Sequence, residues 1–224
     1  MANVPMVAPR SRDQYELLRQ GFTIAHQSPD GTPRTGTNLE FGVRAGGSLL
    51  WMAKEAKEKY PEDVIYAFDS WEGLPEEDEN VWRPDRHNKG KFTVGKFEVE
   101  SQLRKAGVDG FLQSTSGGNT HLVDGFFSDS LTESLREEIP TPIIFVNIDC
   151  DLYISTIQVL DWLTPIVAPG CVFHFDDWSS GEREEKWGEE LAYEEWANKT
   201  GAKTETLAIA DHGRRILRLL NQPK

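Results

Sequence analysis

Apolar residues along this chain recur in two rhythms that take turns. Five short β-branched or aromatic runs read as buried strands: 38–43, 64–68, 120–123, 145–148 and 172–175. Stretches of helical period separate them, at 12–24, 49–60, 97–106, 130–138 and 157–167. A strongly charged helix is expected over roughly 182–199, with Trp187, Leu191 and Trp196 on one stripe. Two last apolar runs, 203–210 and 214–220, flank Asp211-His212-Gly213 and predict a closing antiparallel hairpin.

Strands alternating with helices imply an α/β, doubly wound, Rossmann-like sheet, because each crossover makes its two strands parallel. Parallel strands followed by a C-terminal antiparallel hairpin are a narrower pattern, the one used by class I S-adenosylmethionine-dependent methyltransferases. With 224 residues the chain can bury one good core. We read an N-terminal helix and lid-like extension over 1–37 and a single domain over 38–224. Residues 76–95 carry acidic and then basic clusters without periodicity, which makes them a candidate lid, with Arg83, Arg86, His87 and Lys89.

Composition narrows the partners. A net charge of −13 argues against nucleic acid, whose phosphates need a basic face. No apolar run approaches a membrane span, and the first residues lack a basic segment followed by an apolar one. Cys150 and Cys171 both fall in apolar runs, as packed thiols of a cytoplasmic protein do.

The chemistry gathers at strand ends. The fourth run ends in Asp149-Cys150-Asp151 and the fifth in Asp176-Asp177-Trp178. If those strands are neighbours, roughly 4.8 Å apart, Asp149, Asp176 and Asp177 meet at the carboxyl edge where open α/β sheets bind ligands. Like charges there force at least one pKa upward unless a cation joins them. All-oxygen ligation points to Mg²⁺ first, with Mn²⁺ as the substitute. Asp151 is expected to cap the helix that follows, and His174 to pack rather than react. The first strand runs into Glu40-Phe41-Gly42-Val43-Arg44-Ala45-Gly46-Gly47-Ser48, whose glycines allow close backbone approach to a ligand. Its spacing is not that of a dinucleotide fingerprint, and Glu40 suits a cationic amino acid better than a pyrophosphate. Asp69 ends the second strand, placed for ribose hydroxyls. Trp71 and Phe127 lie just past strand ends, either as core or stacked on an adenine.

Five stretches carry a family resemblance: Glu40-Phe-Gly-Val-Arg-Ala-Gly-Gly, Asp69-Ser-Trp-Glu-Gly-Leu-Pro, Gly125-Phe-Phe-Ser-Asp-Ser-Leu, Ile148-Asp-Cys-Asp-Leu-Tyr-Ile-Ser-Thr and Phe175-Asp-Asp-Trp. Over about residues 38–180 the chain resembles the macrocin O-methyltransferase family of metal-dependent sugar O-methyltransferases. The resemblance implies S-adenosylmethionine contacts at Glu40, Gly42, Asp69, Ser70 and residues 125–127, and Gly46, Ser48, Trp71 and Asp149 join that candidate set. It also implies Mg²⁺ at Asp149, Asp176 and Asp177, with Asp149 as general base, and a small hydroxylated acceptor, a sugar first. Family members are often homodimers. The family commonly has Trp-Arg-Gly-Gly where this chain has Arg44-Ala45-Gly46-Gly47, and the segment ahead of the first strand is short here. A catechol-type enzyme, which carries an Asp-Asn pair at 176–177, is the alternative, followed by a nicotinamide-dependent reductase. A third is a non-catalytic domain that keeps the fold, against which the acidic cluster counts.

Overall fold

The structure is a computed structural model that describes residues 15–28, 30–83, 87–108, 119–178, 186–210 and 213–224, and the backbone of 6–7. The five apolar runs form strands β2 (Thr37–Phe41), β3 (Val64–Asp69), β4 (Thr120–Asp124), β5 (Ile143–Ile148) and β6 (Val172–Phe175). Together with β1 (Met6–Val7), β7 (Thr204–Ile209) and β8 (Arg215–Leu219) they make one sheet, ordered β1-β7-β8-β6-β5-β2-β3-β4. Strands β2 to β6 pair in parallel. Strand β8 enters antiparallel between β6 and β7. Every residue of β2, β5 and β6 is buried, as expected of strands covered on both faces.

One face is covered by α1 (Glu16–Ala25), α2 (Gly47–Lys59) and α3 (Lys96–Lys105). There Phe22 of α1 meets Phe145 edge-on at 5.5 Å, so the N-terminal helix is part of the core. On the other face α6 (Tyr153–Leu163) and α7 (Gly188–Thr200) pack over Phe41, Phe68, Phe173 and Phe175. Trp162 of α6 and Trp196 of α7 are nearly wholly buried against them.

Three local expectations are corrected. The helix expected over 130–138 is broken into α4 (Phe127–Ser130) and α5 (Glu133–Glu138). Thr132 interrupts it because its hydroxyl accepts from Leu135 N, as an N-cap does. The charged helix begins at Gly188; the first residues assigned to it, 182–185, lie outside the described residues, as do Arg86, Asp211 and His212. Asp151 does not cap α6, whose N-cap position is Leu152. Instead its carboxylate pairs with His87 at 2.7 Å. Glu77 supplies the cap from far along the chain, accepting from Tyr153 N at 2.8 Å and Ile154 N at 3.0 Å.

Candidate active site

A cavity of about 970 Å³ opens at the carboxyl ends of the strands, near the upper end of the ~300–1,000 Å³ usual for ligand sites. Its walls come from the glycine-rich loop after β2, the turn after β3, residues 125–128, and the acidic ends of β5 and β6. Tyr15 and Leu18 of α1 and Arg214 close it.

Strands β5 and β6 are neighbours, with Ile148 opposite Phe175. The ladder continues past both strands: Asp149 N donates to Phe41 O at 2.9 Å and Asp176 N to Ile148 O at 3.0 Å. One carboxylate oxygen from each of Asp149, Asp176 and Asp177 lies within 4.8 Å of the other two. Gly42 makes this approach possible. A Cβ there would stand 1.9 Å from the carbonyl oxygen of Asp149, and its φ of +89° is one that side-chain-bearing residues avoid.

Burial pushes the Asp149 carboxyl well above its ordinary range, and the charges of Asp176, Asp177, Asp151 and Glu40 push it further. Asp176 is also raised by burial, against the pull of Arg214, whose Nε lies 2.8 Å from Oδ1 and Nη2 3.3 Å from Oδ2. Behind them stands Glu189 of α7, a residue that sequence reasoning missed. It is fully buried, and its two oxygens accept from Cys150 N at 3.4 Å and Asp177 N at 3.0 Å. Burial first, then Asp177 and Asp149, push its pKa well up. Gly188 brings α7 close: a Cβ there would lie 2.6 Å from Asp151 O. Carboxylate oxygens gathered in this way suit a divalent cation, and the three aspartates have the spacing to hold one.

The cofactor-side residues divide. Gly42, Ser48, Asp69, Ser70, Gly125 and Phe127 line the cavity together with Asp149, whereas Glu40, Gly46 and Trp71 are not in its wall. Glu40 lies beneath the glycine loop with no exposure. Its Oε1 accepts from Ser48 Oγ and from Asn147 Nδ2, and Asn147 Oδ1 in turn is 2.7 Å from His174 Nδ1. Glu40, Asn147 and His174 are register neighbours on β2, β5 and β6, so a polar row crosses the middle of the sheet. Burial lifts Glu40 to about 8, and its Oε2 has no partner among the described residues. Burial, with the nearby Arg214 charge, lowers His174 to about 3, which keeps it neutral. Asp69 is already engaged: Oδ2 accepts from Val43 N and Arg44 N at 2.8 Å each, and Oδ1 from Trp71 N at 2.8 Å. It therefore shapes both turns while lining the cavity. Ser70 braces its own turn by donating to Gly73 O at 3.0 Å. Trp71 donates through its indole to Asp124 at 3.0 Å and packs against the core.

The candidate lid has no helix or strand among its described residues, yet it is fastened. Leu74 N donates to Lys91 O and Gly90 N to Leu74 O, each at 2.9 Å, which closes the loop at its base. Buried Glu77 and buried His87 then hold it to the start of α6 and to Asp151.

A mixed sheet of this strand order, with its site at the carboxyl edge, is the class I S-adenosylmethionine-dependent methyltransferase fold. Solved structures agree. The calicheamicin methyltransferase CalS11 superposes with a TM-score of 0.70 at 23% identity, over 93% of this chain and 80% of its own. The O-methyltransferase NovP gives 0.67 at 21%, over 92% and 79%. A second CalS11 structure, described as a TDP-rhamnose 3'-O-methyltransferase, gives 0.61 at 21%, over 93% and 80%. No curated protein matches the sequence significantly. The model of the macrocin O-methyltransferase (TylF) family matches residues 25–208, and this chain belongs to that family as an O-methyltransferase.

Proposed function

We propose that this enzyme moves the methyl group of S-adenosylmethionine to a hydroxyl of a small sugar-containing acceptor, with a divalent cation, Mg²⁺ first, at Asp149, Asp176 and Asp177. The convergence of those three carboxylates in the wall of the cavity that also holds the glycine loop carries this reading. Sugar chemistry in the family and in CalS11 supports the acceptor class.

A cation bound there would lower the proton affinity of a coordinated hydroxyl and offset the charge of the aspartates. The chain's own residues do the rest. Asp149, raised by burial and by its acidic neighbours, takes the hydroxyl proton as methyl transfer proceeds. Glu189 holds the backbone at 150 and 177, so the aspartates keep their spacing. The glycine loop, Asp69 and Phe127 hold the donor, and the fastened loop over 74–91 keeps water from the reacting atoms. No helix among the described residues is long and apolar enough to cross a membrane. Two buried free cysteines accord with a cytoplasmic setting.

Calorimetric titration with S-adenosylhomocysteine and with NADH tests the donor. Binding of NADH alone refutes the methyltransferase assignment at this site. Methyl transfer to a panel of sugars and catechols, with Mg²⁺ and with chelator, tests acceptor and metal; full activity in chelator removes the metal.

A further inference from the structure

The cavity wall carries both signs of charge, with Arg214 among the acids of one end and Asp69 and Glu76 on the side of the bases. One end is the aspartate cluster, while the wall between the glycine loop and the fastened loop presents Arg44, Lys89 and Lys91. None of the three forms an ion pair among the described residues, although the chain carries 37 acids against 24 bases. Their backbone positions are fixed. Gly90 N and Lys91 O are hydrogen-bonded to Leu74, Lys91 N donates to Asn88 O at 3.1 Å across Lys89, and Thr93 Oγ1 donates to Gly90 O at 2.9 Å. The Arg44 guanidinium lies 4.5 Å over the ring of Phe92, which joins the glycine loop to the same segment. All three side chains are exposed, and three cations without an ion pair among the described residues, set along one wall of a cavity, are a binding feature for an anion.

The methyl donor carries a single carboxylate, which one cation is enough to match. Lys89 and Lys91 remain, and paired lysine point charges suit phosphate oxygens. We infer that the acceptor brings a phosphate group: a sugar phosphate or a nucleoside-diphosphate sugar, its hydroxyls toward Asp149 and its phosphates toward Lys89 and Lys91. This rests on the sugar O-methyltransferase assignment above and adds the form in which the sugar arrives.

The test is titration of the S-adenosylhomocysteine-saturated enzyme, in chelator, with thymidine diphosphate and with inorganic pyrophosphate. Both are expected to bind saturably, and a K89A/K91A variant to weaken them about tenfold or more while keeping S-adenosylhomocysteine affinity. Equal affinity for the two probes assigns recognition to phosphate alone, tighter thymidine diphosphate adds the nucleoside, and both results support the inference. D177N should leave probe binding intact, which separates the lysines from any residual metal. Wild-type enzyme that binds S-adenosylhomocysteine but neither probe overturns the inference and leaves the function standing. So does a double variant that binds both probes unchanged, or one that loses S-adenosylhomocysteine instead. Wild-type enzyme that fails to bind S-adenosylhomocysteine overturns the underlying assignment as well.

Discussion

The two edges of the sheet both bury charge, and they treat it in opposite ways. At the amino edge Asp63, fully buried, accepts from His26 Nε2 at 2.6 Å, from Asn38 Nδ2 at 2.7 Å and from Gly36 N at 3.0 Å. The other ring nitrogen of His26 sits 2.6 Å from Phe22 O, so both nitrogens face acceptors and the pair is matched in hydrogen bonds. At the carboxyl edge the carboxylates of Asp149, Asp176 and Asp177 converge with Glu189 behind them, and burial raises the pKa of Asp149, Asp176 and Glu189. A satisfied buried charge fastens α1 to the sheet. Converging acids whose pKa values burial raises mark a candidate functional site.

The largest effect should follow from removing the proposed base. Asp149→Asn is expected to cut kcat by about 10²- to 10⁴-fold, the usual contribution of a positioned base. In chelator the same variant should be at least as stable as wild type. The folded pKa of Asp149 lies above the unfolded one, so its contribution to stability is fully present only below about pH 3.9 and is lost as pH rises. A metal-free Asp149→Asn protein that melts well below wild type at pH 7 would contradict this account of the carboxyl edge. Asp63→Asn should behave in the reverse manner. It leaves His26 facing an amide and should cost about 3–5 kcal/mol in urea unfolding, the penalty for breaking one partner of a buried pair. Its effect on activity measured well below the melting point should be slight.

The contrast between the edges was only half visible in the sequence. Asp149, Asp176 and Asp177 were legible because strands in a βαβ unit must be parallel, and parallel strands deliver their ends to one edge. The five strands and the closing hairpin were legible for the same reason: their apolar runs are short, branched and bounded by turns. Glu189, Glu77 and Asp63 were not. Each lies in a charged stretch where one more acid looks solvated, and each is buried only because a distant backbone N–H or side chain needs it. Arg214 sat at the start of a strand run with no sign that it would reach Asp176. Asp151 was read as a cap from local spacing, but the loop carrying His87 captured it, and Glu77 from that loop took over the cap. Local rules located the elements; contacts across 12 to 77 residues decided which polar side chains they bury.

Glu189 offers a milder way to sharpen the comparison, because it acts on the cluster from behind. Glu189→Gln keeps the size of the side chain but turns an amide NH₂ toward Cys150 N or Asp177 N. Mn²⁺ affinity, followed by electron paramagnetic resonance, is expected to fall about 10- to 100-fold, as is common when a group supporting a metal ligand is changed. Folding should survive, as judged by circular dichroism. If the variant loses several degrees of melting temperature yet binds Mn²⁺ as wild type does, Glu189 merely stabilises α7.

The smallest effect concerns Glu40, which lies between the two edges and shares features of both. Its Oε1 is satisfied and its Oε2 is not, and burial raises its pKa to about 8. An unfolded glutamate titrates near pH 4.3. The stability it contributes is therefore fully present below that pH and declines as pH rises toward 8, because the unfolded chain ionises first. Glu40→Gln cannot ionise, so its melting temperature minus that of wild type should climb between pH 5 and pH 8 and level off above. The gap, a few degrees at most, is read by differential scanning calorimetry without ligand. A flat difference would mean that a positive group already reaches Oε2. Saturating S-adenosylhomocysteine turns the same measurement into a test of the donor site: if Glu40 attracts the amino acid end of the donor from beneath the glycine loop, the ligand lowers its pKa and erases the climb. A climb that persists at saturation would make Glu40 a structural member of the row with Asn147 and His174.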